Sequence, residues 1–176
     1  MKQWTLLIVA LLVGFSAQAQ KQNNRYYVGG NISLGASNYG TSVVFYPEVG
    51  TRVNNYLTVG LAAGFDWNNL YSDSDFTMGF IPHVRGYLPV TQRFGFTGDT
   101  YFAARWTRRR GHDPLISRQT LGFRPGVYFP LGNVTLSTQI GFFGWNRTNY
   151  GTGEPVKGWQ ARLEARDIVI GVLMNL

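Results

Sequence analysis

The segment "TLGFRPGVYFPLG" at 120–132 puts Leu121, Phe123, Pro125, Val127 and Phe129 on one parity, and Gly122, Arg124, Gly126, Tyr128 and Pro130 on the other. A side-chain period of two belongs to a β-strand and excludes an amphipathic helix here. In a water-soluble sheet such a strand buries its apolar face and solvates the other. The same pattern also fits an inverted body, with the apolar face outward and the arginine enclosed. The rest of the chain decides between the two.

Alternation recurs along the chain, and strands are predicted over 25–35, 42–53, 56–67, 76–88, 94–107, 118–130, 134–146 and 159–176. No stretch sustains helical periodicity. Three predicted connections are short, at Asn54-Asn55, Pro89 to Arg93 and Leu131 to Asn133. Four are longer and polar, at Ala36–Thr41, Asn68–Asp75, Arg108–Ser117 and Arg147–Gly158. Short turns at one end and long loops at the other describe an up-and-down barrel that crosses a membrane. "YPEVGTRV", "IPHVRGYL" and "RPGVYFPL" each open a hairpin whose second strand ends near a tryptophan (Trp67, Trp106, Trp145). That repetition makes the hairpin the building unit.

Sorted by parity, one face collects Ile32, Leu34, Val43, Phe45, Val49, Leu57, Val59, Leu61, Phe65, Phe80, Val84, Leu88, Phe94, Phe96, Phe102, Leu136, Ile140 and Phe142. The opposite face mixes Gly and Ala with Tyr46, Glu48, Arg52, Asp66, His83, Arg85, Tyr87, Asp99, Tyr101, Arg105, Arg124, Tyr128 and Gln139. The interior of an eight-stranded barrel is only just wide enough for side chains. The apolar set would overfill it, whereas small residues interleaved with tyrosines and charges fit. Enclosed charges must be paired, and both signs are present. A lumen charge network is therefore expected from Glu48, Arg52, Asp66, His83, Arg85, Asp99, Arg105 and Arg124. The outward apolar face then needs lipid as its solvent, with Trp67 and Trp106 as membrane-interface aromatics. His83 is expected as a hydrogen-bonding lumen residue rather than a metal ligand, since no second histidine lies near it in sequence.

Three places resist strict alternation. Trp145 falls inward by parity, and Arg162, Glu164 and Arg166 fall outward, so that strand either projects above the bilayer or contains a register-resetting bulge. Pro47, Pro82 and Pro125 lack a ladder donor and are expected to distort their strands locally. The end "DIVIGVLMNL" alternates Ile168, Ile170, Val172, Met174 and Leu176 outward to the last residue, as a closing barrel strand does.

The 176 residues suffice for one domain. Residues 1–19 have the layout of a cleaved secretory signal peptide: Lys2, an apolar stretch from Leu6 to Phe15, and Ala17 and Ala19 at the cleavage positions. The barrel domain is expected over 20–176. Without cysteine neither a disulfide framework nor a cysteine-borne lipid anchor is available. Twelve Phe, ten Tyr, five Trp and 22 Gly beside 14% charged residues suit an all-β protein with aromatic anchors. The basic balance, +7, has no Lys/Arg run beyond Arg108, Arg109 and Arg110, which argues against a nucleic-acid binder.

With "YPEVGTRVNNYLTVGLAAGF", "FIPHVRGYLPVTQRFGFTGDTYF", "LGFRPGVYFPLGN" and the alternating C-terminal strand in view, the chain resembles the small outer-membrane β-barrel family, the OmpA/OmpX-like or porin-family barrels. The resemblance covers essentially 20–176. It implies an all-β, eight-stranded, antiparallel up-and-down transmembrane barrel, monomeric, in the outer membrane of a Gram-negative bacterium. It also implies lipid and lipopolysaccharide neighbours and handling of the C-terminal strand by the barrel-assembly machinery. No cofactor is expected. The expected role is non-enzymatic, in envelope integrity, adhesion or lipopolysaccharide contact, with Arg108, Arg109 and Arg110 as candidates for the phosphates. A narrow channel is one alternative. A lipid A-modifying enzyme is another, drawing on His112-Asp113 and on "YSDSD" (Asp73, Ser74, Asp75), but a triad rests on geometry rather than co-occurrence.

Overall fold

A computed structural model of the chain describes residues 25–37, 40–70, 73–109, 115–151, 153–162 and 169–176. The proposed leader, Arg110, His112, Asp113, Glu164 and Arg166 lie outside them. The described chain is all β: β1 (Tyr26–Ser37), β2 (Gly40–Asn54), β3 (Leu57–Leu70), β4 (Asp73–Pro89), β5 (Gly95–Arg109), β6 (Ile116–Leu131), β7 (Val134–Gln139), β8 (Phe142–Asn149), β9 (Val156–Arg162) and β10 (Val169–Asn175).

Each strand from β1 to β6 pairs antiparallel with its sequence neighbour, β7 joins β6 to β10, and β10 pairs with β1. These pairings close a ring of eight strands. Above it β8 continues the β7 stave along β6, and β9 pairs with β8. The predicted strand 134–146 is thus divided in two, and of 159–176 the described strand parts lie in β9 and β10.

Alternation sorts the side chains as the physics of a narrow barrel requires. Tyr46, Glu48, Ala62, Ile81, His83, Arg85, Asp99, Tyr101 and Gln139 are buried inside. Ile32, Phe45, Val49, Val59, Leu61, Phe80, Val84, Leu88, Phe96, Phe102 and Leu136 are exposed on the outer wall. No polar layer covers that wall, so only an apolar solvent satisfies it. Ladder hydrogen bonding all round the ring leaves no open edge there, the condition for a sheet in hydrocarbon. Among the described residues no helix is long and apolar enough to cross a membrane.

Four expectations are corrected. The hairpins run further than predicted: Ser37 pairs with Gly40 and Leu70 with Asp73, so Asp73, Ser74 and Asp75 stand in β4 and not in a loop. The contrast in loop length is correspondingly smaller. Its place is taken by strands of 12–17 residues, longer than the roughly 9–11 that cross a bilayer. The three short turns, Arg25 and Leu176 share one end, tied there by Arg52 N–H to Arg25 O and Leu176 N–H to Tyr26 O.

The third and fourth corrections have one cause. Phe123 pairs with Phe143, but Gly126 pairs with Gln139, so two residues of β6 face three of the β7–β8 stave. Gly141 takes φ 78° at this bulge, a conformation that penalises other residues. The extra residue inverts parity beyond it. Phe142, expected outward, is buried against Tyr101. Trp145, inward by strict parity, pairs with the outward Leu121 and Trp159. Arg162 pairs with Phe142. Pro125 lies at this bulge, its carbonyl accepting Ile140 N–H at 2.8 Å. At Pro47 and Pro82 pairing to one neighbour lapses without a register change.

Candidate functional site

The centre of the lumen is occupied by charge. β4 carries Arg85 inward, and β2 and β5 carry Glu48 and Asp99 toward it. Arg85 Nε donates to Asp99 Oδ1 at 2.7 Å and Nη2 to Oδ2 at 3.1 Å, a fork-to-fork pair. On its other side Nη1 donates to Glu48 Oε1 at 3.1 Å and Nη2 to Oε2 at 3.4 Å. Gln139 Nε2 donates to Asp99 Oδ2 at 2.6 Å. Arg124 Nη2 lies 3.8 Å from the same oxygen, its guanidinium 4.1 Å over the Tyr101 ring. Two arginines thus face two carboxylates, which is what keeps enclosed charges tolerable.

His83, two residues before Arg85 on β4, links the cluster to β1. Its Nδ1 lies 3.2 Å from Ile81 O, its Nε2 3.1 Å from Tyr27 OH and 3.9 Å from Glu48 Oε1. In the Nδ1–H tautomer, Nδ1 donates to the Ile81 carbonyl and Nε2 accepts a hydrogen bond from the Tyr27 hydroxyl. Gly60 leaves the space this requires, since a β-carbon there would lie 2.7 Å from His83 Nε2 and against the Tyr27 hydroxyl.

The residues predicted for one network fall into three groups. Glu48, Asp99, Arg85, His83 and Arg124 form the central cluster. Arg52 stands apart at the short-turn end, donating to Asn175 Oδ1 at 3.2 Å. Asp66 and Arg105 gather at Tyr46 toward the other end: Tyr46 OH donates to Asp66 at 3.3 Å, and Arg105 lies 5.6 Å over the Tyr46 ring. Sequence reasoning missed Tyr27 and the direct role of Gln139. The parity of β1 and β7 marks both as inward, but only the ring order shows that they reach His83 and Asp99.

The cluster leaves a cavity at either end, about 380 Å3 toward the short turns and about 350 Å3 toward the other end. On the outer wall Trp67 and Trp106 are exposed, Trp106 against Phe80. Arg108, opposite the outward Phe76, shares the outer face, whereas Arg109 pairs inward with Asp75 at 3.1 Å. A second basic place was not predicted: Arg147 stands opposite Lys157 on the outer face, one step along from Trp145 and Trp159. Among the described residues no group of His, Cys, Asp and Glu is arranged to hold a metal ion.

A closed eight-stranded ring, an apolar outer wall and a charged lumen define the class: the chain folds as a small outer-membrane β-barrel. Among solved structures it is similar to Neisserial surface protein A, with a TM-score of 0.51 and 16% identity over 88% of this chain and 98% of that one. A major outer membrane protein from Thermus thermophilus matches with a TM-score of 0.38 and 13% identity, over 86% of this chain and 98% of that one. No protein-family model and no curated protein matches the sequence.

Proposed function

We propose that the protein is a non-enzymatic outer-membrane barrel whose lumen is closed and whose work is done by its wall and its far rim. In this reading it supports envelope integrity and contacts lipopolysaccharide or another surface partner. The observation that carries it is the position of Arg85, held by Glu48 on one side and Asp99 on the other in the middle of the lumen. Side chains tied across an interior this narrow leave no room for a solute stream. In this reading the end remote from the short turns lies outside the cell, because short turns face the periplasm in such barrels.

The lipopolysaccharide contact rests on the outer face. Arg108, Arg147 and Lys157 reach the level at which lipid phosphates lie, and Trp145 and Trp159 mark the interface just below the latter two. Arg109, occupied by Asp75, drops out of the three arginines first expected there.

Single-channel recording of the mature protein in a planar bilayer tests the closed lumen, after an unheated-versus-boiled gel shift has shown folding. A flat trace is expected from the native chain, with steps only after Arg85 and Glu48 are both replaced by glycine. Reproducible steps from the native chain overturn the reading in favour of a narrow channel. Co-purification with lipopolysaccharide, weakened in an Arg108→Gln, Arg147→Gln, Lys157→Gln triple variant, is expected for the rim; unchanged retention counts against it.

A further inference from the structure

Toward the end remote from the short turns, the inner faces of β5, β6, β8 and β9 enclose the cavity of about 350 Å3. Its charge is one-sided. Arg105 and Arg118 stand directly opposite each other in the β5–β6 ladder and both line it. Like charges opposed across a ladder destabilise it, and of the two only Arg105 has a compensating neighbour described above, the Tyr46 ring with Asp66 beside it. On their other sides Arg105 meets Gly79 and Arg118 meets Thr148, neither of them acidic.

Among the described residues neither arginine forms an ion pair within 4.0 Å. Asp66 instead accepts the Tyr46 hydroxyl. The buried Nε of Arg105 has no hydrogen-bond partner, an uncommon and costly state for a buried donor. Gly79 makes room for this side chain, since a β-carbon there would lie 2.8 Å from Arg105 Cγ.

Lys157 of β9 adds a third cation at the edge, and the rest of the lining sets apolar and aromatic residues (Ala103, Phe142, Trp159) beside hydrogen-bonding ones. Thr120 Oγ1 donates to Asn146 Oδ1 at 2.6 Å, and Asn146 Nδ2 donates to Gln160 Oε1 at 3.0 Å. No carboxylate belongs to the described lining. The floor is the closed centre of the barrel, where Arg124 and Asp99 meet. The cavity is therefore a blind vestibule, suited to holding a ligand rather than passing it.

We propose that this vestibule binds a phosphomonoester of about monosaccharide size, with the phosphate between Arg105 and Arg118 and the sugar hydroxyls on the Thr120–Asn146–Gln160 side chains. Two guanidiniums facing one cavity match a group that carries close to two negative charges and several acceptor oxygens. The volume suits such a ligand and little more. This goes beyond the lipopolysaccharide contact proposed above, which uses the outer face and shares with the vestibule only Lys157 and Trp159 of β9.

Isothermal titration of the mature, folded protein in zwitterionic detergent tests the site, with glucose 6-phosphate as the probe and inorganic phosphate and glucose as comparators. Saturable binding of glucose 6-phosphate is expected, tighter than inorganic phosphate and absent for glucose. Arg118→Gln and Arg105→Gln should each weaken it about tenfold or more, while the gel shift shows both variants folded. Repeating the titration in vesicles with and without lipopolysaccharide distinguishes the source of the sugar phosphate: competition assigns it to lipopolysaccharide, and undiminished binding to a soluble ligand. No saturable heat with glucose 6-phosphate, equal binding by glucose, or variants that bind as the native chain does would overturn the proposal.

Discussion

Arg85 and Asp99 meet at 2.7 and 3.1 Å in the middle of the barrel, both almost fully buried. Arg109 and Asp75 make a contact of similar length at the rim, with side chains 43% and 29% exposed. Geometry alike and surroundings unlike, the two pairs should differ widely in energetic weight. Asp99→Asn leaves Arg124 without its carboxylate and Arg85 with Glu48 alone, and is expected to cost about 3–5 kcal/mol. Asp75→Asn should cost less than about 1 kcal/mol, because water solvates the arginine left behind. Urea unfolding from vesicles, followed by the gel shift, measures both.

Neutralising Arg85 together with both of its carboxylate partners is expected to be far cheaper than breaking one pair. A Glu48→Gln, Arg85→Met, Asp99→Asn triple variant removes all three charges together, so its destabilisation should fall well below the sum of the single replacements. The same unfolding assay on singles and triple gives the coupling. Additive losses would show that the three side chains do not act as one cluster.

Gly60 faces the Tyr27 hydroxyl and the His83 ring. Gly60→Val should impair folding by about 1–3 kcal/mol through overpacking. A second change, Tyr27→Ala, should recover a large part of the loss, which a general strand effect of valine would not allow. Yield of the heat-modifiable folded form after refolding reports the outcome.

The bulge at Gly141 turns Trp145 toward the wall. A variant keeping Trp145 as the sole tryptophan of the mature chain should be quenched by brominated lipid to an extent comparable with one keeping Trp106. Lack of quenching would place Trp145 in the lumen and remove the register change. Gly141→Val should destabilise by about 1–2 kcal/mol, the cost of forcing a β-branched residue to positive φ.

Leu61 and Ala62 are chain neighbours on opposite faces, Leu61 exposed on the wall and Ala62 buried in the lumen. Leu61→Arg should cost about 2–4 kcal/mol in a bilayer if it sits near the midplane. Vesicle-based unfolding of this variant tests whether the wall is solvated by lipid; a negligible cost would deny it.

Much of this architecture is legible in the chain. Alternation at 120–132 and along β2 to β5 separates wall from lumen because a strand has only two faces, and the narrowness of an eight-stranded interior says which face is which. The charges of the lumen follow, since Glu48, Arg85 and Asp99 share the inward parity. Where alternation fails, at Trp145 and Phe142, the cause is a single inserted residue, and local sequence cannot say on which side of Pro125 the compensation falls. The extended hairpins were also hidden: Asp73, Ser74 and Asp75 look like a loop because polar strand above a membrane carries no apolar stripe to mark it.

The sequence by itself thus determined the strand class, the inverted sidedness and the signs of charge enclosed, because these depend on a two-residue period and on the volume of side chains. Only the closed ring decided which charges meet. Arg85 reaches Glu48 and Asp99, Arg52 turns to Asn175, and Arg105 is left opposite Arg118. Such pairings depend on the stagger of one strand against the next and on bulges that shift it, and that register is set by hydrogen bonds between segments far apart in the chain.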